Sequence, residues 1–361
     1  MKMLRLIILL AVLFSALAAE AHAALEDELD TGKIESALTD EAREIIGDYS
    51  PLSTDTEGAI SRLVTYLKNK LRDVWTEVGA GVIKILSVVL LCSLASGLRS
   101  SGSGFDYVNL AGVLAIAALT ISDVNSLLRL GGETLDDISF FSKALLPTLA
   151  TAAAAAGGAS SAAVKYAATA MFIDILINAA KGVIFPMICA YTACTLASGA
   201  LGDKRLEAVT RLIKKVTVFL MTALVTVFTA YLGITGVIAT STDAAAVKAV
   251  KSTISVLPVV GRTIADAAGA IVAGAGVIKS CIGAFGLIAS LAICAAPFLR
   301  LGLRYLIFKA AAAIAEPISG ERISKMIDGI GSVYGMILGI VGIGGVFIFF
   351  GVISLIKVVG G

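Results

Sequence analysis

One long apolar run that begins at a lysine constrains the fold of this chain most. After Lys279, no charged residue occurs before Arg300. At 1.5 Å per residue, a helix over residues 280–299 is about 30 Å long, which is the thickness of the hydrocarbon core of a bilayer. A charge such as Lys279 is costly at membrane depth unless it faces protein or water. The run therefore predicts a transmembrane helix with a polar interior face.

The composition extends this prediction to the whole chain. Of its 361 residues, 58% are hydrophobic and 16% are charged, and the mean hydropathy is +0.94. Ordinary soluble domains are about 45–50% apolar and about 25% charged. The excess predicts an all-α fold, a polytopic bundle of membrane helices in contact with lipid. Because the net charge is only +2, the chain offers no basic surface for nucleic acid, and we expect no such partner.

The first residues have the pattern of a secretory signal peptide. Two positive charges lie within residues 1–5, residues 6–19 are apolar, and Ala21, His22 and Ala23 end in the small residues that a signal peptidase recognises. We expect cleavage after Ala23, so that residues 1–23 form the signal peptide. The alternative is an uncleaved anchor. Either way, the segment that follows would be exported.

Residues 24–76 form the predicted extracytoplasmic segment, with a short helix near residues 39–46 and a break at 47–51. From Asp55 onward, apolar residues recur at spacings of three and four, which places them on one face of a helix. This face is either a docking surface for a partner helix or a surface that lies on lipid headgroups. The candidate docking residues are Ile60, Leu63, Leu67 and Leu71.

The positive charges predict about six spans within residues 77–361, with both ends of this membrane domain outside. The basic connector at 203–215 would lie inside, as would a loop that holds Arg300, Arg304, Lys309, Arg322 and Lys325. An acidic loop at 131–137 and an amphipathic segment at 243–266 would lie outside. The expected spans are residues 78–98, 107–128, 167–200, 216–240, 267–299 and 332–357.

One further apolar segment, residues 144–163, does not fit an even number of spans. A full crossing there would move the basic connector at 203–215 to the outside. We therefore expect a re-entrant segment or a bent hairpin over residues 144–165, with the bend at Gly157 and Gly158. The alternative is a seventh span, which would require a break near Pro186. Non-helical backbone at membrane depth persists only where protein or water satisfies it.

Charged residues inside the predicted spans are the candidate functional residues. They are Lys84, Asp174, Lys181 and Lys279. Such groups either line a polar cavity or pathway, or hold the bundle together through ion pairs and snorkelling. We favour the structural role for Lys84, which is close to the interface, and the pathway for Lys181 and Lys279. Asp174 and Lys181 share a helical face but lie about 10 Å apart along the axis.

The sequence predicts neither an enzyme nor a cofactor or metal site. The only histidine, His22, lies in the predicted signal peptide. No phosphate-binding loop and no nucleophile paired with a base is present. Five cysteines lie in apolar runs without metal or redox spacing, and we expect them to behave as small buried hydrophobic residues. They are Cys92, Cys189, Cys194, Cys281 and Cys294.

Three blocks of the sequence carry a resemblance to a known family. The first contains Pro258-Val259-Val260-Gly261, Asp266, Ile278-Lys279 and Ile282-Gly283. The others are residues 144–163 and residues 316–331. In this order the blocks resemble the stage III sporulation protein AE family of endospore-forming bacteria. The alanines at 152–156 depart from the bulkier residues expected there.

The resemblance implies a component of a sporulation assembly, a channel or secretion-like complex in the mother-cell membrane around the forespore. The complex would be needed for forespore development after engulfment. The implied partners are a cytoplasmic ATPase, small membrane proteins and ring-forming proteins, with a forespore-membrane protein completing the connection. The residues alone also allow a stand-alone secondary transporter or permease, or a passive scaffold.

Overall fold

The described part of the chain is entirely helical in its regular structure. The computed structural model describes residues 31–53, 55–97, 107–254 and 261–358. No strand occurs in these ranges, which confirms the all-α prediction for this part. The predicted signal peptide and residues 258–260 of the resemblance lie outside the described residues. The helices are α1 (Thr31–Ser36), α2 (Asp40–Ile46), α3 (Thr56–Gly97), α4 (Tyr107–Ala153), α5 (Ala159–Ala179), α6 (Phe185–Leu201), α7 (Lys204–Ile254), α8 (Gly261–Ser319) and α9 (Glu321–Ile356).

The two short helices pack against the long ones. Thr39 precedes α2, and its hydroxyl accepts a hydrogen bond from the Ala42 N–H at 3.1 Å, as an N-cap residue does. Gly47 ends α2 with a φ of 58°, a conformation that favours glycine. These features confirm the short helix predicted near residues 39–46. Tyr49 then stacks on Phe285 of α8 with ring centroids 5.7 Å apart, and burial raises the pKa of its hydroxyl.

The chain reverses its direction between α4 and α5. A π-helical turn, Ala154–Gly158, joins them, and Gly157 within it has a non-helical φ of 92°. The reversal therefore lies at the predicted bend. The two helices that flank the reversal are longer than the hairpin predicted within residues 144–165, because α4 alone has 47 residues. A second π-helical turn, Ala180–Ile184, separates α5 from α6 near Pro186, and the chain continues there in the same direction.

Contacts with α9 show that the long helices alternate in direction. Helices α4 and α7 run parallel to α9, whereas α5, α6 and α8 run antiparallel to it. Helix α3 runs parallel to α8, because Glu77 contacts Arg304 and Ser93 contacts Ile318. The contact pairs are Ile323–Gly112 and Gly344–Leu135 for α4, Gly351–Thr169 and Gly329–Thr195 for α5 and α6, Lys325–Glu207 and Phe347–Phe228 for α7, and Asp328–Lys309 and Val358–Lys279 for α8.

Helix α9 is the centre of the bundle and contacts α4, α5, α6, α7 and α8. It carries no charged residue between Asp328 and Lys357, and a helix that is apolar on all sides is typically buried. Glycines allow the neighbouring helices to approach it closely. A side chain at Gly351 would overlap Thr169, and one at Gly329 would overlap Thr195.

Five described helical stretches are long and apolar enough to cross a membrane, judged by length and composition. One of them, Leu110–Leu201, reverses at Gly157 and so passes along the bundle twice. The long helices therefore run along the bundle six times, whereas the number of membrane crossings stays a prediction. The stretches are Thr56–Ala95, Leu110–Leu201, Lys204–Gly233, Val272–Ser319 and Glu321–Ile356.

Three predicted loops are wrong. Residues 131–137 belong to α4, because Leu135 is buried and Gly131 packs closely against Ile337. Arg300, Arg304 and Lys309 lie within α8, which continues to Ser319 and leaves only Gly320 before α9. The connector at 203–215 is helical from Lys204 onward. The charge rule assigned these charged residues to loops. In the structure they lie within long helices that pack against their neighbours in the bundle.

Candidate functional site

The most buried ion-pair network in the described residues is centred on Arg304 of α8, whose side chain is only 10% exposed. Its Nε donates hydrogen bonds to the Asp123 carboxylate of α4 at 3.1 and 3.2 Å. Its Nη2 donates to Glu77 of α3 at 2.8 Å. The Tyr334 hydroxyl of α9 donates to Asp123 Oδ2 at 2.9 Å. We call these four residues the Arg304 cluster, in which four helices converge.

Apolar packing of Tyr334 also holds the Arg304 cluster in place. Tyr334 is fully buried and meets Phe308 with ring centroids 4.9 Å apart. Charged hydrogen bonds are stronger than neutral ones, and each donor of a buried guanidinium requires an acceptor. Asp123 and Glu77 supply acceptors for Nε and Nη2 from two other helices. The cluster therefore couples the relative positions of α3, α4, α8 and α9.

A polar cavity of about 190 Å³ opens beside the Arg304 cluster. Thr120, Asp123 and Arg304 line it, together with Glu77 and the predicted site residue Lys84. Lys84 is exposed, so it stands at the mouth of the cavity. This volume is sufficient for several water molecules, each of which needs two to four polar partners. The arrangement can hold water or a small polar solute among paired charges.

Lys279 occupies a different environment, at the C-terminal end of α9. Its side chain is buried, and its Nζ donates to the Val358 carbonyl. The buried Lys165 of α5 donates to the Ser354 carbonyl at 2.9 Å. The last carbonyls of a helix lack partners within the helix and carry a partial negative charge. Lys165 therefore binds a carbonyl in the last turn of α9, and Lys279 binds a carbonyl two residues beyond the end of α9 at Ile356.

Lys181 and Asp174 do not contact each other, and each pairs with α4. Lys181 Nζ lies 2.6 Å from Asp136 Oδ1, and Lys143 Nζ lies 3.9 Å from Asp174 Oδ1. All four side chains are about half exposed or more. The structure therefore brings Lys84 to the Arg304 cluster and leaves Lys181, Asp174 and Lys279 at three other places.

The candidate docking face divides into an inner part and an outer part. Leu63 is buried, and Leu67 packs against the core. Both line an apolar pocket of about 540 Å³ between α3, α8 and α9. Ile60 and Leu71 are 49% and 43% exposed. Only these two of the four remain available to a partner on the surface of the chain.

The end of the bundle where α6 ends and α7 and α9 begin is rich in basic residues. Arg322 donates to the carbonyls of Gly199 and Ala200 at the end of α6. Lys325 pairs with Glu207 of α7 at 2.9 Å. We call this region the basic end. It is the end that the charge rule predicts to lie inside the cell.

Sequence reasoning missed several partners of the candidate residues. It assigned Arg304 to a loop and did not include Asp123 among the candidate residues, so it did not join them. Asp136 was likewise assigned to a loop, and Lys165 was not singled out. The signal that could have found Lys165 is the one that singled out Lys279, a lysine in an apolar segment without a nearby carboxylate in the sequence.

The described residues give few other chemical groups. Among them, no group of three or more His, Cys, Asp and Glu side chains could hold a metal ion. Cys294 is buried as predicted, whereas Cys189 is exposed and the other three cysteines are partly buried. The prediction of buried cysteines is therefore wrong for Cys189, because it lies on the outer surface of α6.

Comparisons with known proteins give one family and one curated relative. The sequence model of the family described as stage III sporulation protein AE matches residues 43–360. Stage III sporulation protein AE of Bacillus subtilis (strain 168) is 21% identical over 216 residues, which cover 60% of this chain and 54% of that protein. The match therefore spans about half the length of the curated relative. No solved structure matches the chain.

Proposed function

Because the chain belongs to the stage III sporulation protein AE family, and so has a role in sporulation, we propose that it is an integral membrane component of a sporulation assembly. The assembly is a channel or secretion-like complex in the mother-cell membrane around the forespore. It is needed for forespore development after engulfment. The family and the apolar length of the helices support this proposal.

The observation that carries the proposal is the Arg304 cluster. Charged residues within apolar helices typically face a bundle interior or a water-filled cavity, and they mark polar pathways. Asp123 and Arg304 lie inside stretches that are long enough to cross a membrane, and a polar cavity opens beside them.

The proposed partners are other proteins of the same membrane complex: a cytoplasmic ATPase, small membrane proteins and ring-forming proteins. The basic end of the bundle would meet the cytoplasmic partners. The segment that holds α1 and α2 would enter from the opposite side of the membrane and pack along the bundle, and the exposed Ile60 and Leu71 of α3 would meet partners there. The resemblance and the charge rule support this orientation.

Deletion of the gene in its native host tests the proposal. After starvation, forespore morphology and late forespore gene expression are followed in the deletion strain and in a strain complemented with the wild-type gene. We expect arrest after completed engulfment, with a shrinking forespore, and recovery on complementation. Normal spores from the deletion strain would contradict the proposal.

A second candidate function is a stand-alone transporter or permease, which the polar cavity beside Asp123 and Arg304 favours. The two functions differ in what the purified protein does alone. Reconstituted in vesicles without partners, a transporter would accumulate a solute, whereas a component of an assembly would not. Capture of the tagged chain from sporulating cells, with identification of co-purifying membrane proteins, would favour the assembly.

A further inference from the structure

One side of the bundle is predominantly polar over a length close to the thickness of a bilayer. Exposed polar residues of α4 recur on one face from Ser122 to Asp136 and again at Lys143, a rise of about 31 Å in all. The exposed Phe140 interrupts them. Exposed polar residues of α5 adjoin them through the Lys181–Asp136 and Lys143–Asp174 ion pairs. We call this surface the polar stripe. Its members are Ser122, Asn125, Ser126, Arg129, Glu133, Asp136 and Lys143 of α4, Asp174 and Asn178 of α5, and Lys181 of the π-helical turn that follows α5.

The exposed face of α7 is apolar, in contrast to the polar stripe. No charged residue occurs between Lys215 and Asp243, and Phe219 and Val227 are 68% and 57% exposed. The exposed threonines of this face donate their hydroxyl hydrogen bonds to carbonyls one turn earlier in α7, as Thr222 does to Val218 at 2.9 Å. Such hydroxyls need no water. This face is therefore suited to lipid.

The two surfaces lie at the same height along the central helix α9. On the inner face of α4, behind the polar stripe, Gly131 packs against Ile337, and Leu135 packs against Gly344. On α7, Met221 packs against Gly339, and Phe228 stacks near Phe347 with ring centroids 4.1 Å apart. Charged residues 129–136 and apolar residues 219–228 are therefore level with each other. A membrane that covers the α7 face would also reach the polar stripe.

The short helices place further charges at this height. Glu41 of α2 pairs with Arg300 of α8 at 3.3 Å, and Arg300 is two residues beyond Phe298, which faces Gly342. Helix α1 packs against α4, and exposed charged residues of both short helices extend the polar side around the bundle. The polar stripe is thus part of a larger hydrophilic side that includes α1 and α2.

Half-exposed ion pairs are costly against hydrocarbon, because their remaining donors and acceptors have no partner there. We propose that the polar stripe lines a water-filled passage, while the α7 face at the same height contacts lipid. This inference rests on the proposed function, which places the chain in a membrane. It identifies the surface of the chain that would contact water there. It assigns Arg129, Glu133, Asp136 and Lys181 to the lining of the passage.

Cysteine accessibility in membranes tests the inference. The five native cysteines are replaced by alanine or serine, and single cysteines are then introduced by Ser126→Cys and Asn178→Cys on the polar stripe. Thr222→Cys on α7 is the matched control at the height of Asn178, and Val218→Cys on α7 is the control that lies nearer to Ser126 in height. Membrane vesicles are treated with a charged, membrane-impermeant maleimide. We expect the stripe cysteines to react roughly tenfold faster, because thiolates form in water rather than in hydrocarbon.

The possible outcomes separate the inference from the proposed function. Slow reaction at all four positions would show a dry face, and fast reaction at all four would place this height outside the membrane. Either result overturns the passage alone. Absence of the chain from the membrane fraction would overturn the proposed function as well. If the cysteine-free chain does not accumulate, the same four variants are made in the parent, and the labelling added to that of the native cysteines is compared.

Discussion

Arg304 and Lys279 are two buried cations of the same helix, and the bundle satisfies them in different ways. Arg304 lies between Asp123 and Glu77, which come from two other helices. Lys279 donates to a carbonyl at the end of α9, where no carboxylate is needed. The comparison shows that a buried cation can be held by an ion pair in the middle of a bundle or by a helix terminus at its edge. The two solutions predict different sensitivities to mutation.

The largest effect is expected from Asp123→Ala. This change leaves Arg304 buried with only the more exposed Glu77 as a charged partner, and it removes the acceptor of the Tyr334 hydroxyl. Removing one partner of a buried ion pair typically lowers the free energy of unfolding by about 3–5 kcal/mol. Unfolding of the purified chain in detergent, together with its level in membranes, measures the effect.

A double variant separates charge from packing at the Arg304 cluster. Asp123→Leu combined with Arg304→Met removes both charges and keeps apolar volume, and such replacements are often neutral. We expect the double variant to recover most of the stability that Asp123→Ala loses. If the double variant is stable but does not support sporulation, the charges of Asp123 and Arg304 have a role in function. A double variant as unstable as Asp123→Ala would contradict the ion-pair explanation.

Tyr334→Phe is expected to have the next largest effect. It removes one hydrogen bond to the Asp123 carboxylate but leaves the ring in contact with Phe308. Hydrogen bonds to charged groups contribute about 1.5–3 kcal/mol. Thermal unfolding of the variant and the parent in the same detergent gives the difference. No measurable difference would mean that Asp123 is held by Arg304 alone.

Lys279→Met tests the contribution of the buried cation that is held near a helix terminus. The change removes a cation from the C-terminus of α9 and keeps an unbranched apolar side chain of similar length. Charge–helix interactions of this kind contribute about 0.3–2 kcal/mol, so we expect a smaller loss of stability than for Asp123→Ala. Lys165→Met is the matched control at the same helix end. Full sporulation of Lys279→Met at a normal protein level would exclude a role for Lys279 in a pathway.

The smallest effect on stability is expected from Lys181→Gln. Its ion pair with Asp136 is short, 2.6 Å, but the two side chains are 49% and 54% exposed. Exposed pairs contribute about 0–1 kcal/mol. If the polar stripe lines a passage, sporulation in the complemented strain would fall while the unfolding free energy stays within that range. A large loss of stability would instead make Lys181 a structural residue.

The helical class and the bend at Gly157 were predictable because they depend on local properties. Apolar length predicts helices that can cross a membrane, and the pair Gly157–Gly158 allows the backbone conformation that a reversal requires. The residues that meet in the Arg304 cluster were not predictable. Asp123 and Arg304 are 181 residues apart, and only the packing of α4 beside α8 brings their side chains together.

The sequence by itself determined that this chain is helical, apolar enough for a membrane, and similar to one sporulation family. These properties follow from composition, from the lengths of apolar runs and from short motifs, all of which are local. The tertiary structure decided which charges pair, which lysines bind the end of α9, and which side of the bundle is polar. Those features depend on the rotation and height of each helix relative to its neighbours, and contacts between residues distant in sequence set both.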